Sequence, residues 1–232
     1  MTDSQDTSIL DGLRVLEIGL GVSAPYAALN FAKLGAEVVK LEPLEGDPSR
    51  THGPFPNGIK HKEKSGLFLA YNHGKKSICL DLNISQDRDK FESMLPHFDL
   101  VIENQNLGFF NDRRLGYKKI SSINPSLIWV SILPFGEVGP YSQYVADDLV
   151  LFHMSGNAHG MIGPVDNPEV EPPIRAGGYQ AEMVAGLTAS TAAMVAMHQR
   201  LKTGKGCKIV VSGLNSMITM AISGIANSAF GQ

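Results

Sequence analysis

The segment VLEIGLGVSA, Val15–Ala24, places Gly19 and Gly21 directly after an apolar run, where a glycine turn lets a ligand approach the backbone. Nucleotide chemistry is the first possibility it raises, and Glu42, closing the next apolar run, stands where a ribose-binding acid belongs. The pattern is incomplete. A dinucleotide fingerprint needs a third glycine where the chain has Ala24, and a methyltransferase-type turn needs one where it has Ser23, so a tight strand-to-helix turn is the alternative. No P-loop pattern is present. His52, His61, His73, His97, His153, His159 and His198 form neither HExxH nor a paired ligand spacing. Ser131, Ser155 and Ser212 lack a GxSxG elbow. Cys79 and Cys207 belong to no CxxC pair and lie outside ligand spacing of a histidine. Glu182 stands apart as the only acid of a long small-residue segment, Ala181–Leu201, where it opens a helix; the macrodipole favours an acid in a first turn.

The elements that carry these residues alternate in type. Leu13–Gly21 reads as a buried parallel strand, Pro25–Leu34 as a helix ended by Gly35, and Ala36–Pro43 as a second strand stopped by proline: a βαβ unit. Glu45–Lys64, rich in Gly, Pro, His and charge, predicts a long loop. Ordered segments follow at Gly66–Asn72 and Ser77–Leu82, then a helix around Asp87–Leu95, a strand over Asp99–Asn104, a short helix near Tyr117–Ile123 and a strand over Leu127–Leu133. Past the turn Pro134–Pro140, Asp148–Ser155 predicts an apolar helix, and Asn157–Tyr179, with Pro164, Pro168, Pro172 and Pro173, predicts loop. The small-residue helix must pack closely before it stops at Thr203–Gly206, and Cys207–Ser212 makes one more strand. The fold class is α/β, a Rossmann-like parallel sheet with helices on both faces.

The 232 residues are 43% hydrophobic and 19% charged, with 20 Lys+Arg against 23 Asp+Glu, a net charge of -3 and a pI near 6.2. Such a chain can bury a core without disulfides or metals, and it lacks the positive excess that nucleic-acid binding uses. The polar start MTDSQDTS carries no secretory signal and predicts a flexible tail over residues 1–9; the two unpaired cysteines fit a reducing, cytoplasmic setting. Ile209–Gln232 contains no charge, but Ser212, Asn215, Ser216, Thr219, Ser223, Asn227 and Ser228 interrupt it too often for a lipid-facing helix. A buried strand followed by a helix packed on all sides is expected there, and no membrane partner.

Read in order, LDGLRVLEIG and APYAALNFAKLGAEVVKLEP, then LFLAYNHGKKSICLDL, VIEN, SILPFGEVGPY and HQRLKTGKGCKIVVS, the chain resembles the family III CoA-transferases, the carnitine/formyl-CoA transferase family, from about Leu10 to about Met220. The resemblance implies transfer of coenzyme A between an acyl-CoA and a small free carboxylic acid, with CoA as substrate and no permanently bound cofactor or metal. Racemases of α-methylacyl-CoA share that fold and use a histidine where this chain has Ala146-Asp147-Asp148, so two-base proton exchange lacks a partner here.

In that family the nucleophile is an aspartate at the start of the small-residue helix, and the matching position is Glu182. A glutamate carboxylate can attack a thioester carbonyl to give a mixed anhydride and a CoA thiolate, though its extra methylene moves the oxygen by about an ångström or more, a displacement that can cost about a hundredfold. Positive potential at the helix start is expected to lower its pKa, and the amides around Gly177 and Gly178 to face a developing oxyanion. The resemblance further assigns CoA binding to Val22 and Ser23, to Tyr71, Asn72, Lys75 and Lys76, and to Asn104 and Arg114, while Pro43 replaces an arginine often found after KxE. Surface charge alone is the other reading of Lys75 and Lys76. Family chains form interlocked dimers and continue into a second lobe. By that measure residues 10–220 are the large domain and residues 221–232 the start of a connection, with Ile209–Gln232 covered by a partner or by further chain. The alternative to an active transferase is a silent CoA-binding half that pairs with an aspartate-bearing partner; a methyltransferase or dehydrogenase acting at the glycine turn comes third.

Overall fold

A computed structural model describes residues 8–162, 165–167 and 169–230; residues 1–7 of the expected tail, Pro164 and Pro168 lie outside them. Six strands, β1 (Arg14–Ile18), β2 (Glu37–Glu42), β3 (Lys76–Cys79), β4 (Leu100–Glu103), β5 (Ile128–Leu133) and β6 (Lys208–Ser212), form one sheet in the order β3-β2-β1-β4-β5-β6. Every pairing is parallel. This is the doubly wound order, with its switch point between β1 and β4, where chains leave in opposite directions and open a crevice at the strands' carboxyl ends.

The helices are α1 (Ser23–Lys33), α2 (Gly66–Asn72), α3 (Ser85–Met94), α4 (Phe109–Asp112), α5 (Tyr117–Ile123), α6 (Asp148–Met154), α7 (Asn157–Ile162), α8 (Gln180–Thr203), α9 (Gly213–Ile218) and α10 (Ile222–Ala229). Alternation along the strands sorts residues onto two faces. Val15, Val38, Ile102, Val130 and Val211 meet α1 and α8, whereas Leu16, Leu41, Val101 and Trp129 meet Phe91, Leu95 and Ile120 from the opposite side. A third, smaller cluster joins Leu151, Phe152, Ala158, Ala181 and Met217 around the start of α8.

The small residues of α8 explain how it seats. Ala181, Ala185, Ala189, Ala193 and Ala196 form one buried stripe, and a Cβ placed on Gly186 would lie 2.4 Å from the carbonyl oxygen of Ser23. Backbone thus approaches backbone, so the first turns of α8 and α1 lie side by side.

Some expectations are corrected. The expected loop Glu45–Lys64 contains three short 3-10 turns, Pro48–Thr51, Pro56–Gly58 and Lys62–Lys64. Asn157–Ile162, expected as loop, is helical. The strand of the uncharged C-terminal stretch is not buried: β6 is an edge strand, with Val210 37% exposed. Beyond it the chain breaks into short helices and a 3-10 turn, and Met220 in that turn and Phe230 just past α10 face solvent, because no element among the described residues covers them. No helix of the described residues is long and apolar enough to cross a membrane.

Candidate active site

Two buried lysines and two buried acids lie under the turn after β1. Lys40 Nζ meets Glu17 Oε1 at 2.6 Å and Asp47 Oδ2 at 2.8 Å, and donates to the Gly19 carbonyl at 2.7 Å. Lys75 Nζ meets Glu17 Oε2 at 2.6 Å and donates to Pro25 O and Asn72 Oδ1. The set is neutral, which buried charge requires. Burial pulls Lys40 down, but Glu17 and Asp47 outweigh it and hold the ammonium above its ordinary range. Lys75, less fully compensated, is brought down by burial to about 8.

Above this base runs a row of four consecutive backbone amides, each held by a side chain. Leu20 N donates to Asn104 Oδ1 (2.8 Å), Gly21 N to Asp47 Oδ1 (3.1 Å), and both Val22 N and Ser23 N to Glu182 Oε2 (3.2 Å each). Asn104 closes the clasp by donating to Leu20 O and to Ser23 Oγ. Gly21 holds a left-handed φ of 72°, which turns these N–H groups inward. In nucleotide-binding relatives of this topology such amides hold a pyrophosphate. Here the amides of residues 21–23 carry carboxylates of the chain itself. Glu42 is equally engaged, its oxygens accepting from Arg50, Ser77 and the Asp47 amide, with a pKa brought to about 2 against burial by those bonds. The partial glycine fingerprint therefore serves the tight turn, and its expected ribose acid is a structural ion-pair partner.

Glu182 borders a cleft of about 470 Å³ at the switch point, lined by Leu20, Asn104, Gln105, Ile132, Leu133 and Leu151 among others; it is the only charged residue of that lining. The expected depression of its pKa is overturned. Burial, joined by the negative charge of Asp148, raises the carboxyl above its ordinary value, although the Ser23 and Val22 amides and Arg175 pull the other way. Asp148 explains why the helix start is not a bare positive pole: its Oδ1 already accepts from Ala181 N and Glu182 N.

Val22, Ser23, Asn104 and Glu182 are thus brought together. Tyr71 joins them, stacked edge-on to Tyr26 and donating to Met183 Sδ, with burial and then the charges around it, Glu182 included, raising its phenol. Asn72 and Lys75 are turned inward: Asn72 is buried, and the Lys75 side chain, 2% exposed, has its ammonium donors occupied by Glu17, Pro25 and Asn72, so it is neither the surface charge nor an open CoA contact. Lys76 lies at the opposite end of β3 from the crevice, paired with Glu37 in solvent, as surface charge does. Arg114 is exposed, with φ 60°, on a separate groove shared with Lys118 and Lys119. No hydrogen bond among the described residues joins the amides of Gly177 and Gly178 to Glu182.

Glu17, Lys40, Asp47 and Asp148 escaped the sequence reading. The first two left a signal: Glu17 in RVLEI and Lys40 in EVVKLE are opposite charges inside apolar runs, register partners on adjacent strands. Asp148 left none, because its partners lie 33 and 34 residues away.

Fold and site together define a doubly wound α/β protein whose switch-point amides hold a side-chain carboxylate. The family model described as CoA-transferase family III matches residues 10–231, and the chain belongs to that family. It is 33% identical over its whole length to the succinyl-CoA:glutarate CoA-transferase of Mus musculus, covering 51% of that protein. It is 32% identical over 80% of its length to a subunit of the succinyl-CoA:(R)-benzylsuccinate CoA-transferase of Thauera aromatica, covering 44% of it. Among solved structures, a CaiB/BaiF family protein from Brucella suis superposes with a TM-score of 0.85 at 30% identity over 97% of this chain and 59% of the other. The chain spans about half the length of the curated relatives it matches.

Proposed function

We propose that this chain carries the acyl-accepting acid of an acyl-CoA:carboxylate CoA-transferase, and that the acid is Glu182. The observation that carries this reading is the Glu182 carboxylate itself: one oxygen on the amides of Val22 and Ser23, at the edge of the switch-point cleft, in a chain of CoA-transferase family III. Attack of the carboxylate on the thioester carbonyl forms a carbon–oxygen bond and breaks the carbon–sulfur bond. The negative charge moves from Glu182 to the CoA sulfur, and no proton changes hands. The thiolate then attacks the Glu182 carbonyl, giving a Glu182–CoA thioester and releasing the donor acid as its carboxylate; the acceptor carboxylate attacks that thioester, and the same two exchanges in reverse give the new acyl-CoA and free Glu182.

Several features support the assignment. Amides at the α1 N-terminus keep the carboxylate oriented before attack. Apolar walls at Leu20, Ile132, Leu133 and Leu151 suit an acyl or pantetheine chain. Arg114, Lys118 and Lys119 line a groove whose charge suits the phosphates of CoA. Residues 10–220 then act as the CoA-binding large domain and residues 221–232 as the start of a connection, with the remaining walls contributed by a second lobe or a partner chain. A cytoplasmic setting belongs to the same proposal, resting on the unpaired Cys79 and Cys207.

A second reading is favoured by the glutamate standing for the family's aspartate and by one relative being a subunit: a silent CoA-binding half completed by an aspartate-bearing partner. A CoA-transfer assay over a panel of short carboxylic acids separates the two. Transfer by the wild type that falls by roughly a thousandfold or more in Glu182→Gln supports the nucleophile. CoA binding without transfer, with turnover appearing only on addition of a partner chain, supports the silent half.

A further inference from the structure

Asp148 stands at the start of α6, yet its Oδ1 accepts from Ala181 N at 2.8 Å and from Glu182 N at 3.1 Å. Tyr179, the residue before α8, gives that helix no side-chain cap. Asp148 supplies the cap from across the fold. Its second oxygen, Oδ2, is buried without a hydrogen-bond partner, and the residue as a whole is 2% exposed. Capping alone does not call for this arrangement, since a serine hydroxyl can cap a helix start without a second polar atom to bury. What the carboxylate adds is a negative charge beside Glu182, away from water.

We propose that Asp148 is a positioning residue for Glu182, holding the first turn of α8 through two backbone amides and setting the charge that the Glu182 carboxylate faces. Its consequence for catalysis rests on Glu182 being the nucleophile; the coupling between the two carboxylates does not. Asp148 from α6 and Arg175 from the segment before α8 act on Glu182, whose charge is in turn felt by Tyr71 of α2 together with those of Tyr26 and Tyr179. Of these, Asp148 disfavours ionisation of Glu182 and Arg175 favours it. Burial raises Asp148 as well, joined by the negative charge of its neighbour Asp147, so both carboxyls sit above their ordinary range. The more basic carboxylate is the better nucleophile once ionised.

The test is a carbon-13 NMR titration of the glutamate carboxyls in the full chain, with Glu182 identified by its loss in Glu182→Gln, together with hydrogen exchange at the amides of residues 181 and 182. In Asp148→Asn the amide oxygen can still cap, so both amides stay protected while the Glu182 midpoint moves to lower pH. In Asp148→Ala both amides lose protection. A Glu182 midpoint that stays put or rises in Asp148→Asn overturns the charge-setting role, and unchanged protection in Asp148→Ala overturns the capping role. Should Asp148→Ala fail to fold, Asp148→Asn decides alone. The outcomes separate from the functional reading: a shifted midpoint in a chain without transferase turnover removes the nucleophile and leaves the coupling, and normal turnover with an unshifted midpoint does the reverse.

Discussion

Glu182 reaches its position because its side chain is long enough to cross from α8 to α1. Both contacts, to Val22 N and Ser23 N, are made by Oε2. Removing one methylene draws the carboxylate back by about 1.5 Å, the length of a single carbon–carbon bond. Glu182→Asp is therefore expected to lose both amide contacts and to lower transfer by about a hundredfold, even though it restores the family's usual residue; a steady-state comparison with the wild type checks this. The residues beneath the turn carry stability. Lys40 is held between Glu17 and Asp47, all three buried. Lys40→Met leaves those acids with Lys75 as their only cation and should cost about 3–5 kcal/mol in a denaturant titration. A loss below about 1 kcal/mol would mean that water enters the cluster.

At the scale of elements, the site depends on how closely α8 approaches α1. Gly186 permits that approach: a methyl group there meets the Ser23 carbonyl at 2.4 Å and the Ala27 amide at 3.3 Å. Gly186→Ala forces the helices apart, with an expected loss of about 1–3 kcal/mol in thermal or chemical unfolding and weaker exchange protection of the Val22 and Ser23 amides. A helix pair that tolerated the methyl with protection intact would contradict this packing. The strands, α1 and α8 were legible because buried parallel strands are apolar runs and a close-packed helix is built from small residues. The ordered motifs singled out Asn104 as a CoA contact and Glu182 as the nucleophile position, but not the clasp that Asn104 makes with Leu20 and Ser23. What stayed hidden depends on tertiary neighbours. The inward turn of Lys75 follows from Glu17, 58 residues earlier, and the cap on α8 comes from α6. The exposure of β6 follows from its place at the sheet edge, which its apolar composition does not reveal.

For the whole molecule, buried carboxyls set the pH dependence of stability. Burial lifts Glu103, beside Trp129 and Ser131, from 4.5 to about 7. Between those values the folded state keeps a proton that the unfolded state has released, so stability falls as pH rises through the window, by up to about 3 kcal/mol. Glu182 and Asp148, both raised, add slopes of the same sign. Glu42 acts oppositely: its contribution is present above 4.5 and is lost as pH falls toward about 2. Glu103→Gln, whose amide oxygen can still accept from the Gln105 amide, should flatten the decline between 4.5 and 7 in melting curves recorded across pH. An unchanged decline would place its origin elsewhere. Two of the molecule's charge groups frame the cleft, a neutral set under the turn after β1 and a pair of acids at the start of α8. The second holds the proposed nucleophile. The most direct test of that role is mass analysis of the chain after incubation with an acyl-CoA and hydroxylamine. Conversion of the Glu182 carboxyl to a hydroxamate, absent when acyl-CoA is left out, is the predicted result; an unmodified Glu182 together with full transferase activity in Glu182→Ala would contradict it.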